Sequence, residues 1–159
     1  MTPHVSPSQS QKKIVWSYVL AALISLVGLA DAIYLTVEHL TGRSLRCTII
    51  SGCSEVLSSP YAQIGSIPLA AIGAGAYFTV FSLATLAAFG YRLAVPLLRI
   101  ILAIMFLMTL WLLYLQAFVI RHFCQYCLLS AAVTLVLTVI VLLAMGAGRG
   151  TKNAATFAN

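Results

Sequence analysis

Long stretches of this chain carry no Lys, Arg, Asp or Glu: Val56 to Tyr91, Ile100 to Ile120 and His122 to Gly148, while a fourth, from Ile14 to Val37, is broken only by Asp31. A helix of roughly 20 largely apolar residues crosses a bilayer core, and runs of this kind leave few other folds open. Soluble domains are about 25% charged and 45–50% apolar. Here 8% of 159 residues are charged and 62% are hydrophobic, with a mean hydropathy of +1.03. Too few polar side chains exist to cover a water-facing surface. A soluble enzyme, a disordered chain and a disulfide-stapled secreted miniprotein are excluded on that ground.

Four spans follow, at about Val15–Val37, Ile67–Gly90, Pro96–Val119 and Cys124–Met145. Transmembrane strands alternate apolar and polar residues, whereas these runs are continuous, and helices satisfy their own backbone in lipid. The expected fold is an all-α integral membrane protein, a bundle of four transmembrane helices. Residues 15–145 form its membrane domain, with 1–14 and 146–159 as disordered tails. The first run resembles a signal peptide, with Lys12 and Lys13 ahead of it, but its uncharged stretch from Ile14 to Ala30 exceeds the about 7–15 apolar residues of a cleaved signal.

Loops rich in Lys and Arg stay in the cytoplasm. One side carries both tails and the loop between spans two and three, with Lys12, Lys13, Arg92, Arg99, Arg149 and Lys152; the other carries Arg43, Arg46 and Arg121. Both termini are therefore expected in the cytoplasm. The net charge of +6 follows from this topology and calls for no nucleic-acid partner.

Cys47 and Cys53 lie in the loop 38–66 between spans one and two, and Cys124-Gln125-Tyr126-Cys127 opens the fourth. With four spans, both regions share one face whichever way the chain inserts. The charge rule makes that face extracytoplasmic and oxidising. A thiol pKa falls at a helix N-terminus and beside cations, and Arg121 and His122 adjoin the CxxC. Three helical residues separate its sulfurs by about 4.5 Å of rise, so both can face one way, with Cys124 nearer water and Cys127 deeper. A rival reading is a soft-metal binding or transport protein, since His39 and His122 lie near the cysteines. Five residues separate Cys47 from Cys53, outside the usual zinc-knuckle spacing, and no metal is expected.

The ordered set of Tyr34-Leu35-Thr36, His39, Cys47, Gly52-Cys53, Val56, Ser58-Ser59-Pro60-Tyr61, Ile67-Pro68, Gly73, Tyr77 and Cys124-Gln125-Tyr126-Cys127 resembles the vitamin K epoxide reductase family, including its bacterial homologues. The quinone-reducing membrane protein of the bacterial disulfide-forming pathway also has four helices and two Cys pairs. There the CxxC comes first; here it comes last.

The resemblance implies a membrane thiol:quinone oxidoreductase of the bacterial cytoplasmic membrane. It implies that Cys47 exchanges with an external partner, Cys53 attacks Cys124, and Cys127 faces a quinone of the ubiquinone, menaquinone or vitamin K type. It places the quinone between the helices beneath a short amphipathic loop helix, with Val56, Leu57 and Tyr61 toward the membrane and Ser54, Glu55 and Ser58 toward water. By motif, Leu57, Tyr61, Ile72, Ala76, Gln116, Ile120, Phe123 and Tyr126 would line the pocket. Animal members carry a Tyr one turn after the CxxC, where this chain has Ala131. Some bacterial members carry a fused thioredoxin-like domain; here a separate extracytoplasmic thioredoxin-like protein is expected as partner.

Asp31 is the one acid inside a span, and intramembrane acids are functional by default. Sharing a helix face with Tyr34 and Glu38, it can relay protons to a reduced quinone. The structural alternative is a carboxyl that only hydrogen-bonds a neighbouring hydroxyl.

Overall fold

The computed structural model describes residues 9–41 and 53–156. Helices α1 (Gln9–Thr41), α3 (Leu69–Ala88), α4 (Ala94–Tyr114) and α5 (Gln125–Thr156) are the long elements, and α2 (Cys53–Leu57) is a short helix between α1 and α3. Lys12–Thr41, Leu69–Ala88, Ala94–Ile120 and Gln125–Ala144 are long and apolar enough to cross a membrane. The chain is thus an all-α, four-span bundle.

Helix α1 packs mainly on α3 and α5, and α4 closes the bundle against the same two. Small side chains make the close approach possible, as they do between helices in lipid. Ala21, Ser25, Gly28 and Ala32 recur at four- and three-residue steps along the buried face of α1. Opposite them on α3 lie Tyr77, Val80, Ala84 and Ala87, all buried. At Gly28 a Cβ would come within 2.6 Å of Tyr77 Cζ, so glycine is what admits the ring there. Tyr77 is 2% exposed, and its hydroxyl meets the Ser130 carbonyl oxygen at 2.9 Å, Ser130 Oγ at 2.8 Å and Thr134 Oγ1 at 3.0 Å. One side chain of α3 therefore ties α1 to α5. Leu23, Leu107 and Leu143, on the outer faces, are exposed, as a bundle solvated by lipid requires.

Helix bounds depart from expectation at both ends. Helix α1 begins at Gln9 and α5 reaches Thr156, inside the segments assigned to tails. Once a turn exists, each added residue is fixed by one hydrogen bond, and no proline follows Pro7 in the first segment or occurs in the second. Helix α4 starts two residues ahead of Pro96; first-turn N–H groups lack intrahelical acceptors, so proline fits there. Between α3 and α4, Gly90 has φ 89°. Its N–H bonds Ala87 O at 3.0 Å and that of Tyr91 bonds Leu86 O at 3.1 Å, the paired bonds of a Schellman ending.

A 3-10 turn, Pro60–Ala62, and a two-strand hairpin, β1 (Gln63–Ile64) with β2 (Ile67–Pro68), lead from α2 into α3. Gly65, φ 66°, takes the first central place of its two-residue turn, where a II′ hairpin needs positive φ. Pro68 then caps α3 from an extended conformation.

Candidate active site

The CxxC is set by what happens at the end of α4. The residues that follow it, Leu115–Ile120, form a π-helix, and Arg121 comes next in the left-handed conformation, φ 58°. This wider turn carries Gln116, 3% exposed, to the start of α5. Its Oε1 accepts the N–H of Cys124 at 3.1 Å. The Cys124 carbonyl accepts the Leu128 N–H at 3.0 Å, which makes Cys124 the N-cap of α5. Side chains at this position accept N–H bonds from the first turn, and here a sulfur does so.

The Cys127 thiol hydrogen-bonds the Cys124 sulfur and, against the opposing effect of burial, holds its pKa down at about 7, with help from the N–H groups of Cys127 and Tyr126. The expected helix N-terminus is part of the cause. Arg121 and His122 are not: both are exposed, turned out by the left-handed residue. Cys124 precedes the spanning segment Gln125–Ala144 and Cys127 lies inside it, but Cys124 is 0% exposed, closed off by protein. The cover over Cys124 is the loop itself: Leu35, Cys53, Val56 and Cys124 form one buried cluster, with Cys127, Ile120 and Tyr126 packed against it.

Cys53 is disulfide-bonded, whereas Cys124 and Cys127 are free thiols. Cys47 lies outside the described residues. The structure therefore holds Cys53 and the CxxC at the same end of the bundle, one oxidised and one reduced, in a shared apolar cluster.

Below them is a cavity of about 160 Å³. Cavities on the order of 150 Å³ with aliphatic walls admit a benzene-sized ring. Every long helix contributes: Asp31, Ala32, Leu35 and His39 from α1, Ala70, Gly73 and Tyr77 from α3, Leu112 and Gln116 from α4 and its π-turn, and Cys127, Ser130 and Ala131 from α5. Val56, Leu57 and Tyr61 close the end near the cysteines. Of the eight residues expected around a pocket, Leu57, Tyr61, Gln116 and Ile120 are in this wall.

Ile72, Ala76, Phe123 and Tyr126 are not in it. Ile72 and Ala76 each precede a true wall residue, Gly73 and Tyr77, by one position, and one residue on a helix is about 100° of rotation. Ile72 and Phe123 are exposed, on faces turned away from the cavity. Tyr126 instead packs on Tyr34, with ring centroids 5.3 Å apart. The short helix α2 also differs from expectation. Glu55 and Ser58 are exposed as anticipated, but Val56 is buried over Cys124, so its apolar face meets the bundle.

Asp31 is 8% exposed and lines the cavity. Its companions in the wall are Ala32, Leu35 and His39, at one, four and eight residues on; Tyr34 is 43% exposed on another face, and Glu38 is outside the wall. Asp31 Oδ2 is buried with no hydrogen-bond partner, which removes the purely structural reading for that atom. His39, Tyr77, Thr109 and Ser130 were missed as wall residues. The signal for Ser130 was present: Cys127, Ser130, Ala131 and Thr134 follow the three-and-four spacing of one helix face.

Among the described residues no group of three or more His, Cys, Asp or Glu is placed to hold a metal ion. A mostly apolar, ring-sized cavity with one thiol of the CxxC in its wall suits a flat redox ring better. Four spans, a CxxC capping the last of them and a third cysteine packed over it define a membrane oxidoreductase of the thiol–quinone kind. The profile of the Vitamin K epoxide reductase family matches residues 19–142, and the chain belongs to that family. Quinones are the general electron acceptors of its members, which work with a redox partner.

Proposed function

We propose that the chain forms disulfides in an extracytoplasmic thioredoxin-like protein and passes the electrons to a membrane quinone. The partner's thiolate attacks the disulfide of Cys53, whose counterpart on this reading is Cys47. The Cys53 thiol so released reduces a Cys124–Cys127 disulfide by attacking Cys124, and Cys127 leaves as thiolate. Exchange of this kind proceeds through mixed disulfides, and Cys53 can reach Cys124 from within the cluster they share. The observation that carries the proposal is the placement of Cys53 and Cys124 in one buried cluster, with Cys127 beside them in the cavity wall.

A bound quinone supplies the acceptor for two electrons and two protons; the protein positions the reacting groups. Apolar walls of Leu35, Leu112 and Ile120 exclude water from the ring, and Gly73 and Ala131 leave room for it. Gln116 holds the backbone of Cys124 in place from the same wall. Cysteines on the extracytoplasmic face of a bacterial cytoplasmic membrane, with both termini inside, fit the distribution of Lys and Arg.

The test is quinol formation by the purified chain in detergent with a dithiol donor, followed by exchange with a reduced thioredoxin-fold protein. Quinol formation that needs all four cysteines is expected. Failure with ubiquinone, menaquinone and vitamin K analogues in folded protein would overturn the proposal, and stoichiometric bound metal would then favour the soft-metal reading.

A further inference from the structure

The wall of the cavity holds one acidic group whose presence the thiol relay does not explain. Asp31 Oδ2 is buried without a partner, in a wall whose other polar atoms are largely engaged. The Tyr77 hydroxyl is occupied by Ser130 and Thr134, and Gln116 Oε1 by Cys124. An unpaired carboxylate in apolar surroundings is costly, and the form such a place holds cheaply is the neutral acid, an O–H donor. Asp31 and Cys127 line the same cavity.

We propose that Asp31 is a catalytic acid of the quinone half-reaction, giving its carboxyl proton to a quinone oxygen and recovering one from the Cys127 side. This rests on the quinone reading above. In the net step the S–H bonds of Cys124 and Cys127 break, an S–S bond forms between them, and the electron pair passes to the quinone ring. Two protons follow, forming two O–H bonds of the quinol. Asp31 is unchanged over the cycle: its O–H breaks as one quinol O–H forms, and the thiol proton of Cys127 restores it.

Other titratable groups facing the cavity are His39, Tyr61 and Tyr77. His39 is two turns from Asp31, about 12 Å along α1, toward the cysteine end. Along the wall His39 therefore lies nearer the cysteine end and Asp31 farther from it. Tyr77 donates to a backbone carbonyl and is committed there.

The chain has three acidic side chains, Asp31, Glu38 and Glu55, so a carboxyl can be assigned by infrared spectroscopy with few variants. The unmodified protein in detergent should show a protonated-carboxyl C=O band that is absent from Asp31→Asn and shifts when a short-chain naphthoquinone is added without any thiol donor. With dithiothreitol as donor, Asp31→Asn should lower kcat for quinol formation by about 10²-fold or more, the scale of general acid catalysis. Its thiol count and melting should be unchanged, and Asp31→Glu should recover most of the rate. A band that ignores the quinone, or an Asp31→Asn rate within threefold of the unmodified chain, would overturn the role of Asp31 alone. An unmodified chain that forms no quinol would overturn the quinone reading and this role with it.

Discussion

Gln116 Oε1 accepts the backbone N–H of Cys124 at 3.1 Å, so a residue of the π-turn that follows α4 fixes the N-cap of α5. The consequence is a CxxC whose first sulfur is held against the Cys53 loop and whose second stays in the cavity wall. Replacing Gln116 by Leu leaves that N–H buried and unpaired, a cost of about 1–3 kcal/mol. Unfolding of the reduced protein in detergent should register that loss, and quinol formation should slow severalfold as the Cys124 geometry loosens. Unchanged stability and rate would mean that the π-turn positions Cys124 without Gln116.

The thiol of Cys124 has a folded pKa of about 7 against an ordinary value of 9.0. Between these values the folded chain holds thiolate where the unfolded chain holds thiol, so unfolding takes up a proton. Stability of the reduced protein should therefore rise from about pH 7 to 9, and the contribution should vanish as pH falls below 7. Ultraviolet thiolate absorbance, taken as a difference from Cys124→Ser, should show the same midpoint. Cys127→Ala removes the leading hydrogen bond and should move the midpoint upward.

Gly28 and Tyr77 form the second positional constraint. Gly28→Ala drives a methyl into the Tyr77 ring, and overpacking of this kind costs about 1–3 kcal/mol. Tyr77→Phe keeps the ring but strips the hydroxyl that joins α3 to Ser130 and Thr134. Both should lower the melting temperature, and neither should change the number of titratable thiols. A fully stable Gly28→Ala would show that α1 and α3 sit farther apart.

Most of the architecture is legible in the sequence, because lipid leaves a chain so poor in charge almost no choice but spanning helices. The meeting of Cys53 with the CxxC is legible for the same reason, since four spans return the end of α1 and the start of α5 to one face. What could not be read was rotation. Ile72 and Ala76 miss the cavity by one residue each, because nothing in a uniformly apolar helix marks which face turns inward. The cover over Cys124 is not legible either, because the rise along α5 says nothing of α2, whose Val56 packs over that cysteine. The Gln116–Cys124 bond depends on a π-helix and a left-handed Arg121, and neither has a sequence signature in this stretch.

Rotation of α3 yields a paired prediction. A side chain at Gly73 has room, its Cβ meeting only Ala32 Cβ at 4.0 Å, and it points into the cavity. Gly73→Leu should raise KM for a quinone by about tenfold or more, a loss of about 1.4 kcal/mol. Ile72→Leu, one residue away on the lipid side, should leave KM unchanged. Equal effects at both positions would place the ring elsewhere.

The central claim is that electrons pass from Cys53 to Cys124 and leave through Cys127. Its most direct test is mass spectrometry of disulfides in Cys47→Ala after the CxxC has been oxidised by a quinone. Without Cys47 to attack Cys53 and release it, a Cys53–Cys124 disulfide should accumulate with Cys127 left as the free thiol. A Cys47→Ala protein in which Cys53 bridges Cys127, or in which Cys53 never bridges the CxxC, would contradict the relay.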